Sequence, residues 1–282
     1  MNDKRERQRA NRMERLEQES RAASKAKRTR LIVRWVIIVA AIVGIAFLYS
    51  VLSGDGDGSA AGPTTTEASP SQTVLFSSAE CPAEDGSSER RTTFENPPRN
   101  CIDLEAVYAA EFATSAGTFT ALLDPQLDDR SVNNFVVLAR YHAYDGTIFH
   151  RVIDGFVIQG GDLEDGYGTG GPGYRFIGAY PPEDAVYEVG SLAMANAGDP
   201  TSNGSQFFIV TGAAGEALPL NYSLLGAVVD GIDVPLAIGS VATESRTIGG
   251  RPVADVPTTE VVIETVTIRL ATDDEIATLR GS

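Results

Sequence analysis

Hydrophobic and polar residues alternate in short runs over most of the chain after residue 105, which is the pattern of strands with one buried face. Strands are predicted at residues 107–114, 118–123, 189–195, 205–211, 223–229 and 260–270. Val132–Tyr141 instead carries hydrophobic residues at helical spacing, and Ser131 suits the N-cap of this helix. A shorter helix is predicted near Val234–Ile238, where Pro235 limits its start. Many short strands with few helices predict a mainly β domain in the form of a closed barrel.

Two segments of this region have the pattern of strands broken by glycines. The first is Phe149–Asp162, with the sequence FHRVIDGFVIQGGD. The second is Ser191–Ile209, which contains SLAMANAG and, after a short polar loop, NGSQFFI. An arginine, side-chain amides and aromatic rings on one sheet face predict a binding groove. Neither segment contains a nucleophile–base pair, which argues against a hydrolytic site.

The alternation of strand side chains predicts which residues share a face in these segments. Gln206 and Phe208 are expected on one face, and Phe207 on the other. By the same rule, Arg151 should share a face with Phe149 and not with the intervening histidine.

An uncharged stretch of 18 residues, Trp35–Leu52, precedes the β region. It extends back to residue 31 if Arg34 reaches the membrane interface with its charged end. This length predicts a transmembrane helix at residues 31–52, with Trp35 and Tyr49 as interfacial anchors. A cleaved signal peptide is the alternative, but the long basic lead and the long apolar run favour an uncleaved anchor.

Charge is divided unevenly along the chain. Of 23 Lys and Arg residues, 12 lie in residues 1–34, no lysine follows Lys27, and 33 acidic residues accompany 11 arginines from Val51 onward. The positive-inside rule therefore predicts that residues 1–30 form a basic cytoplasmic tail and that the chain after about residue 52 lies outside. A nucleic-acid-binding arm is the alternative for the tail. The adjacent hydrophobic span argues against it, and no nucleic acid partner is expected. Residues 53–78 have the composition of a disordered linker.

Cys81 and Cys101 are the only cysteines of the chain. An even count on the outer side of a membrane predicts a disulfide between them, with two unpaired buried thiols as the alternative. The pair bounds a segment at residues 79–104, and the predicted β domain occupies residues 105–282. No metal site is expected, because His142 and His150 are the only histidines and neither has ligand spacing with the cysteines. No cofactor is expected either.

The two glycine-containing segments resemble the cyclophilin family of peptidyl-prolyl cis-trans isomerases. The family motif FHRxIxGFxxQGGD matches residues 149–162, and its motif MANAG…NGSQFFI matches residues 194–209. The resemblance extends over about Glu105–Leu270. It implies an eight-stranded antiparallel barrel capped by two helices, and isomerisation of X–Pro peptide bonds.

The resemblance also implies a role for each matching residue. Arg151 would be the catalytic hydrogen-bond donor. The proline pocket would be lined by Phe156, Val157, Phe208 and Leu218, and the substrate backbone would be held by Gln159, Ala195, Asn196 and Gln206. Tyr222 stands where the family commonly has a histidine and would still form a wall of the pocket. Ala217 stands where the family often has a tryptophan, which casts doubt on cyclosporin affinity rather than on catalysis.

Three functions follow from these patterns. The favoured one is a membrane-tethered, monomeric isomerase that acts on proline-containing polypeptides as they fold outside the cytoplasm. The second is a proline-peptide-binding or scaffold module without turnover, against which Arg151 argues. The third assigns the function to the basic tail.

Overall fold

The computed structural model describes residues 81–164 and 166–280 of the chain. The predicted cytoplasmic tail, transmembrane helix and linker, residues 1–78, lie outside this part. Among the described residues, none of the helices has both the length and the apolar character that a membrane crossing requires.

Antiparallel β-structure dominates the described part of the chain. Its strands are β1 (Tyr108–Thr114), β2 (Gly117–Leu123), β3 (Thr147–Ile148), β4 (Arg151–Ile153), β5 (Val157–Gly160), β6 (Ser191–Met194), β7 (Phe207–Val210), β8 (Leu224–Asp230), β9 (Thr243–Ile248), β10 (Arg251–Pro257) and β11 (Val262–Leu270). The six predicted strands are all present, with ends shifted by at most two residues.

Nine of these strands form one sheet in the order β3-β11-β1-β2-β8-β6-β7-β5-β4. The sheet curls into a half-barrel around the hydrophobic core, and β3 and β4 are its two edges. The predicted closed barrel of eight strands is therefore wrong in both strand number and closure. Only Phe149 and His150 separate β3 from β4. These two short strands do not pair with each other: β3 pairs with β11, and β4 pairs with β5.

Three α-helices occur in the described residues: α1 (Asp129–Arg140), α2 (Asp233–Gly239) and α3 (Asp273–Arg280). The first two correspond to the predicted helices, and α3 was not predicted. Helix α1 begins three residues earlier than expected, because Asp128 and not Ser131 is its N-cap. The Asp128 carboxylate accepts hydrogen bonds from the backbone N–H and the hydroxyl of Ser131 at 3.1 and 2.6 Å. A carboxylate at this position also interacts favourably with the helix dipole.

Phe207 on β7 is surrounded by aromatic rings in the core. The ring centroids of Phe112, Phe135, Tyr144 and Phe149 lie 5.5 to 6.2 Å from its own, mostly in edge-to-face geometry. Such pairs add to the free energy gained by burying the rings. This cluster joins α1, β1 and the connection between β3 and β4 to β7.

The hairpin of β9 and β10 lies outside the nine-stranded sheet and was not predicted. Most of its side chains are exposed, so it lacks the alternation that marks the other strands. A two-residue turn at Gly249–Gly250, with φ values of +56° and +80°, joins the strands. Two positive φ angles in such a turn are typical of a tight hairpin, so this Gly-Gly pair was the available sequence signal.

Cys81 and Cys101 form a disulfide with a Cα–Cα distance of 5.5 Å, which confirms the predicted pairing. The segment that it bounds is held against α1 by Asn133. The Asn133 side chain accepts a hydrogen bond from the Cys101 backbone N–H at 2.8 Å and donates one to the Arg99 carbonyl at 2.9 Å. The cysteine-bounded segment is thus part of the folded domain.

His142, just after α1, contacts the same segment. Its Nε2 lies 2.8 Å from the Gly86 carbonyl oxygen, and its Nδ1 lies 3.0 Å from Asp145 Oδ2. The hydrogen bond to Gly86 and the neighbouring Asp145 carboxylate raise the pKa of His142 above its ordinary value, against a smaller opposing effect of burial. Arg90 donates to the His142 and Asp145 carbonyls at 3.2 and 3.0 Å.

Loss of the disulfide should destabilise the domain. Replacing both cysteines by serine should lower the free energy of unfolding by about 3 kcal/mol, because the cross-link restricts the unfolded chain over a loop of about 20 residues. Urea unfolding of the oxidised protein measures the change. Reductant should bring the wild-type protein to the same value and leave the double serine variant unaffected. Equal stability of the oxidised and reduced wild-type protein would contradict the prediction.

The contact of His142 should make stability depend on pH. Because its pKa is raised in the folded state, its contribution is complete below the unfolded pKa of about 6.5 and is lost as the pH rises through the folded value. We expect His142→Asn, which tolerates the φ of +55° at this position, to destabilise the protein more at pH 5.5 than at pH 8.5. Thermal unfolding at both pH values measures the difference.

Arg90→Gln is the matched control for this measurement. It removes another contact of the same segment without removing a group that titrates in this range, so its effect should be equal at both pH values. A pH-independent effect of His142→Asn would refute the proposed protonation.

Candidate active site

The structure brings the predicted site residues together around a cavity of about 110 Å³. Nine of the ten predicted residues line it: Arg151, Phe156, Val157, Gln159, Ala195, Asn196, Phe208, Leu218 and Tyr222. The tenth, Gln206, borders an adjoining cavity of about 500 Å³, together with Gln159, Ala195, Asn196 and the glycine-rich loop. Gln159, Ala195 and Asn196 line both cavities, so the two cavities form one groove.

Strand alternation explains why neighbouring residues of one strand lie in the core and in the groove by turns. On β7, Phe207 is buried in the aromatic core cluster, whereas the next residue, Phe208, lines the 110 Å³ cavity. On β5, Ile158 faces the core, between Val157 and Gln159 in the groove. The predicted separation of Phe207 from Phe208 is thus confirmed.

Register aligns three groove residues across neighbouring strands. Arg151 on β4 is opposite Gln159 on β5, and Gln159 is opposite Phe208 on β7. Directly paired side chains on one face lie about 5 Å apart at Cβ. The guanidinium is consequently next to an amide, and the amide is next to the aromatic wall.

The predicted parity of Arg151 with Phe149 is wrong. Phe149 is buried in the core cluster, while Arg151 opens onto the groove with 41% of its side chain exposed. Phe149 and His150 lie between β3 and β4 and have no strand conformation, so alternation does not carry across them. Within β4 the rule holds, since Val152 faces the core.

The apolar part of the groove is supported from behind by Tyr187, which was not predicted. Phe208 and Tyr222 meet at right angles with ring centroids 5.3 Å apart. The Tyr187 hydroxyl donates to the Tyr222 carbonyl at 2.7 Å and accepts from the Tyr222 backbone N–H at 3.1 Å. Burial raises the pKa of Tyr187 to about 12, so this hydroxyl stays protonated at neutral pH. These bonds hold the backbone of Tyr222, which carries the ring that contacts Phe208.

The polar part of the groove is a chain of hydrogen bonds. Arg151 Nη1 donates to Gln159 Oε1 at 3.4 Å, and Gln159 Nε2 donates to Gln206 Oε1 at 2.9 Å. Gln206 Nε2 then donates to the Gly170 carbonyl at 2.8 Å. The two glutamines therefore have fixed amide orientations before any peptide binds.

The Asn196 side chain forms hydrogen bonds within the protein, including one that its Oδ1 accepts from the Gly198 N–H at 3.0 Å. Its Nδ2 donates to the Asn221 carbonyl at 2.9 Å and to Asn203 Oδ1 at 3.2 Å. These bonds connect the groove to the loop before Tyr222. What Asn196 can offer a bound peptide is its backbone.

Asp162, another residue that was not predicted, holds the glycine-rich loop beside Gln206. Its buried carboxylate accepts hydrogen bonds from the backbone N–H groups of Glu164, Gly168 and Gly170 at 2.9, 2.6 and 3.0 Å. Burial raises the pKa of Asp162, but these three donors and the nearby His150 outweigh that effect and hold the pKa below its ordinary value. A Cβ atom on Gly170 would collide with this carboxylate, so only glycine fits there.

The groove combines a permanently charged donor with an apolar pocket. Of the residues lining the 110 Å³ cavity, Arg151 is the only charged one. Over residues 81–164 and 166–280, there is no group of His, Cys, Asp and Glu that could hold a metal ion. Such a site can stabilise a change in electron distribution next to a bound apolar ring without transferring a proton. Rotation of an X–Pro bond, with its barrier of roughly 18–20 kcal/mol, is a reaction of this kind.

Comparison with known proteins agrees with this chemistry. Residues 109–268 match the family described as cyclophilin type peptidyl-prolyl cis-trans isomerase/CLD. The chain is 40% identical over 178 residues to peptidyl-prolyl cis-trans isomerase B of Streptomyces anulatus, covering 57% of this chain and 98% of that one. It is 46% identical over 127 residues to peptidyl-prolyl cis-trans isomerase A of Mycobacterium tuberculosis, covering 44% and 64% of the two chains.

A solved structure is similar as well. The crystal structure of a Cryptosporidium parvum cyclophilin type peptidyl-prolyl cis-trans isomerase superposes with a TM-score of 0.51 at 28% identity. The match covers 59% of this chain and 99% of that chain.

Proposed function

Because the chain belongs to the family of cyclophilin-type peptidyl-prolyl cis-trans isomerases, and is an enzyme of that class, we propose that it isomerises X–Pro bonds of polypeptides bound in the groove described above. The observation that carries the proposal is the row of Arg151, Gln159 and Phe208 on three neighbouring strands. It sets a guanidinium at the edge of an apolar pocket.

The pocket and the arginine act on different parts of the substrate. Phe208, Tyr222 and Leu218 surround the proline ring, and Gln159 with Gln206 holds the peptide backbone. As the X–Pro bond twists, its nitrogen loses conjugation with the carbonyl and becomes a better hydrogen-bond acceptor. A donor from Arg151 then binds the twisted bond more tightly than the planar one, which is the condition for raising the rate.

A binding module without turnover is the alternative function. Such a module needs the pocket but gains nothing from a charged donor at its edge. The family membership and the placement of Arg151 both favour the enzyme.

We propose further that residues 31–52 tether the enzyme to a membrane, with the basic tail in the cytoplasm and the isomerase domain outside it. The uncharged run of Trp35–Leu52 and the cluster of basic residues before it support this topology. The Cys81–Cys101 disulfide supports it too, because disulfides persist in oxidising compartments. The substrates would be exported proteins that are still folding, and the enzyme would act as a monomer.

Substitution of the arginine should separate turnover from binding. Arg151→Ala should slow isomerisation by about 10²- to 10³-fold, since one preorganised donor contributes roughly 3–4 kcal/mol to a transition state. Affinity for a proline peptide should change much less. Exchange NMR on a single peptide measures the affinity and the exchange rate together. An Arg151→Ala protein as fast as the wild type would contradict the assigned role.

Phe208→Ala is the comparison variant, because it removes a pocket wall that both planar and twisted peptides contact. Its loss should appear in affinity as well as in rate. The wild-type rate should be nearly constant from about pH 6 to 8, because arginine does not titrate there.

Topology can be tested by protease protection. Protease added to intact spheroplasts should cut the linker that joins the isomerase domain to residues 31–52 and spare an epitope placed in residues 1–30. Detergent lysis, the control, should expose both regions. An isomerase domain whose linker stays uncut until lysis would overturn the proposed orientation.

A further inference from the structure

Asp255, on the hairpin outside the main sheet, contacts the proposed catalytic arginine. Its Oδ2 lies 3.4 Å from Nε of Arg151. The side chains are 37% and 41% exposed, so the pair lies at the rim of the groove. No motif of the sequence pointed to this residue.

The backbone at Asp255 has an unusual conformation. Its φ is +60°, in the left-handed region that residues other than glycine seldom adopt. The pairing of β10 with β9 shifts register between Val253 and Val256, so Asp255 lies in a bulge. Bulges of this kind redirect side chains and are frequent next to active sites. Val256, the next residue, is buried and anchors the bulge to the domain.

The end of the hairpin is also fixed by hydrogen bonds. Arg246 Nη2 donates to the Pro257 carbonyl at 3.3 Å, and the Thr258 N–H donates to the Ala242 carbonyl at 2.9 Å. The Asp255 carboxylate is therefore carried by a restrained strand and not by a free loop.

We propose that Asp255 is a positioning residue for Arg151. Its carboxylate forms an ion pair with Nε, while Gln159 accepts a hydrogen bond from Nη1, so two different side chains contact the guanidinium. A guanidinium has five N–H donors, and the remaining ones stay available for the peptide. The inference rests on the proposed role of Arg151 in turnover.

A role in orientation fits the exposure of the pair better than a role in stability. Half-exposed ion pairs contribute little to the free energy of folding. By contrast, a misplacement of about 1 Å in a catalytic group can cost on the order of 100-fold in rate. We expect loss of the Asp255 charge to slow isomerisation by about tenfold and to leave peptide affinity nearly unchanged.

Two substitutions remove the negative charge of Asp255 and are compatible with the positive φ at this position. Asp255→Asn keeps the shape and tolerates the positive φ, and Asp255→Gly removes the side chain and relieves the conformation. Both variants should have melting temperatures close to that of the wild type, and both should isomerise the peptide more slowly. Glu244→Gln is the matched control, because Glu244 is an acidic residue of the same hairpin that pairs with Arg246 and not with Arg151. It should leave the rate unchanged.

A double-mutant cycle on the full-length chain in mild detergent tests the inference. Exchange NMR with one uncharged proline peptide gives rate and affinity for the wild type, Asp255→Asn, Arg151→Ala and the double variant. If Asp255 acts through Arg151, Asp255→Asn should have no further effect in the Arg151→Ala background. Raised salt should lower the isomerisation rate of the wild type toward that of Asp255→Asn, because salt screens the half-exposed ion pair of Arg151 and Asp255.

The outcomes separate this inference from the proposed function. A slow Arg151→Ala with an unchanged Asp255→Asn would overturn the role of Asp255 and leave that of Arg151 intact. Equal effects of Asp255→Asn in both backgrounds, or a faster Asp255→Asn enzyme, would also overturn it. An unchanged Arg151→Ala would remove the proposed role of the arginine, and with it the reason for positioning it.

Discussion

The alternation of side chains along β7 is the constraint on which the rest of the structure depends. Phe207 lies in the middle of the aromatic core, and Phe208, its neighbour in sequence, forms a wall of the groove. A shift of register by one residue would exchange the two faces, which would expose the core ring and empty the groove. The packing that stabilises the half-barrel therefore also fixes the position of the site, since both rest on one strand.

Around that strand, the polar groups of the groove are held by segments that do not belong to the sheet. Gln206 is hydrogen-bonded to a loop that the Asp162 carboxylate holds in place, and Arg151 forms an ion pair with Asp255 on the hairpin. The sheet supplies the order of the groove residues, and the loop and the hairpin supply their orientation. A site that needs no mobile proton depends on such fixed geometry more than on tuned acidity.

Most strands could be predicted, because buried faces leave a periodic pattern. All nine residues that line the 110 Å³ cavity could be predicted as well, because two motifs are specific. Prediction failed where periodicity stops. At Phe149 the chain leaves strand conformation for two residues, so parity gave the wrong face. The hairpin is too exposed to show alternation. Asp162 ends the first motif, but the motif does not show which loop its carboxylate holds. The sequence did not predict whether the barrel closes, because closure depends on whether the short edge strands β3 and β4 pair with each other.

The pairing of β1 with β11 has a consequence for the order in which the molecule can form. Tyr108, in the first strand of the sheet to be synthesised, is opposite Leu270, in the last. Contacts so distant in sequence slow folding, because a long loop must close before they form. Strand β3 also pairs only with β11, so it too waits for the end of the chain. The domain must therefore complete its sheet after synthesis has passed residue 270.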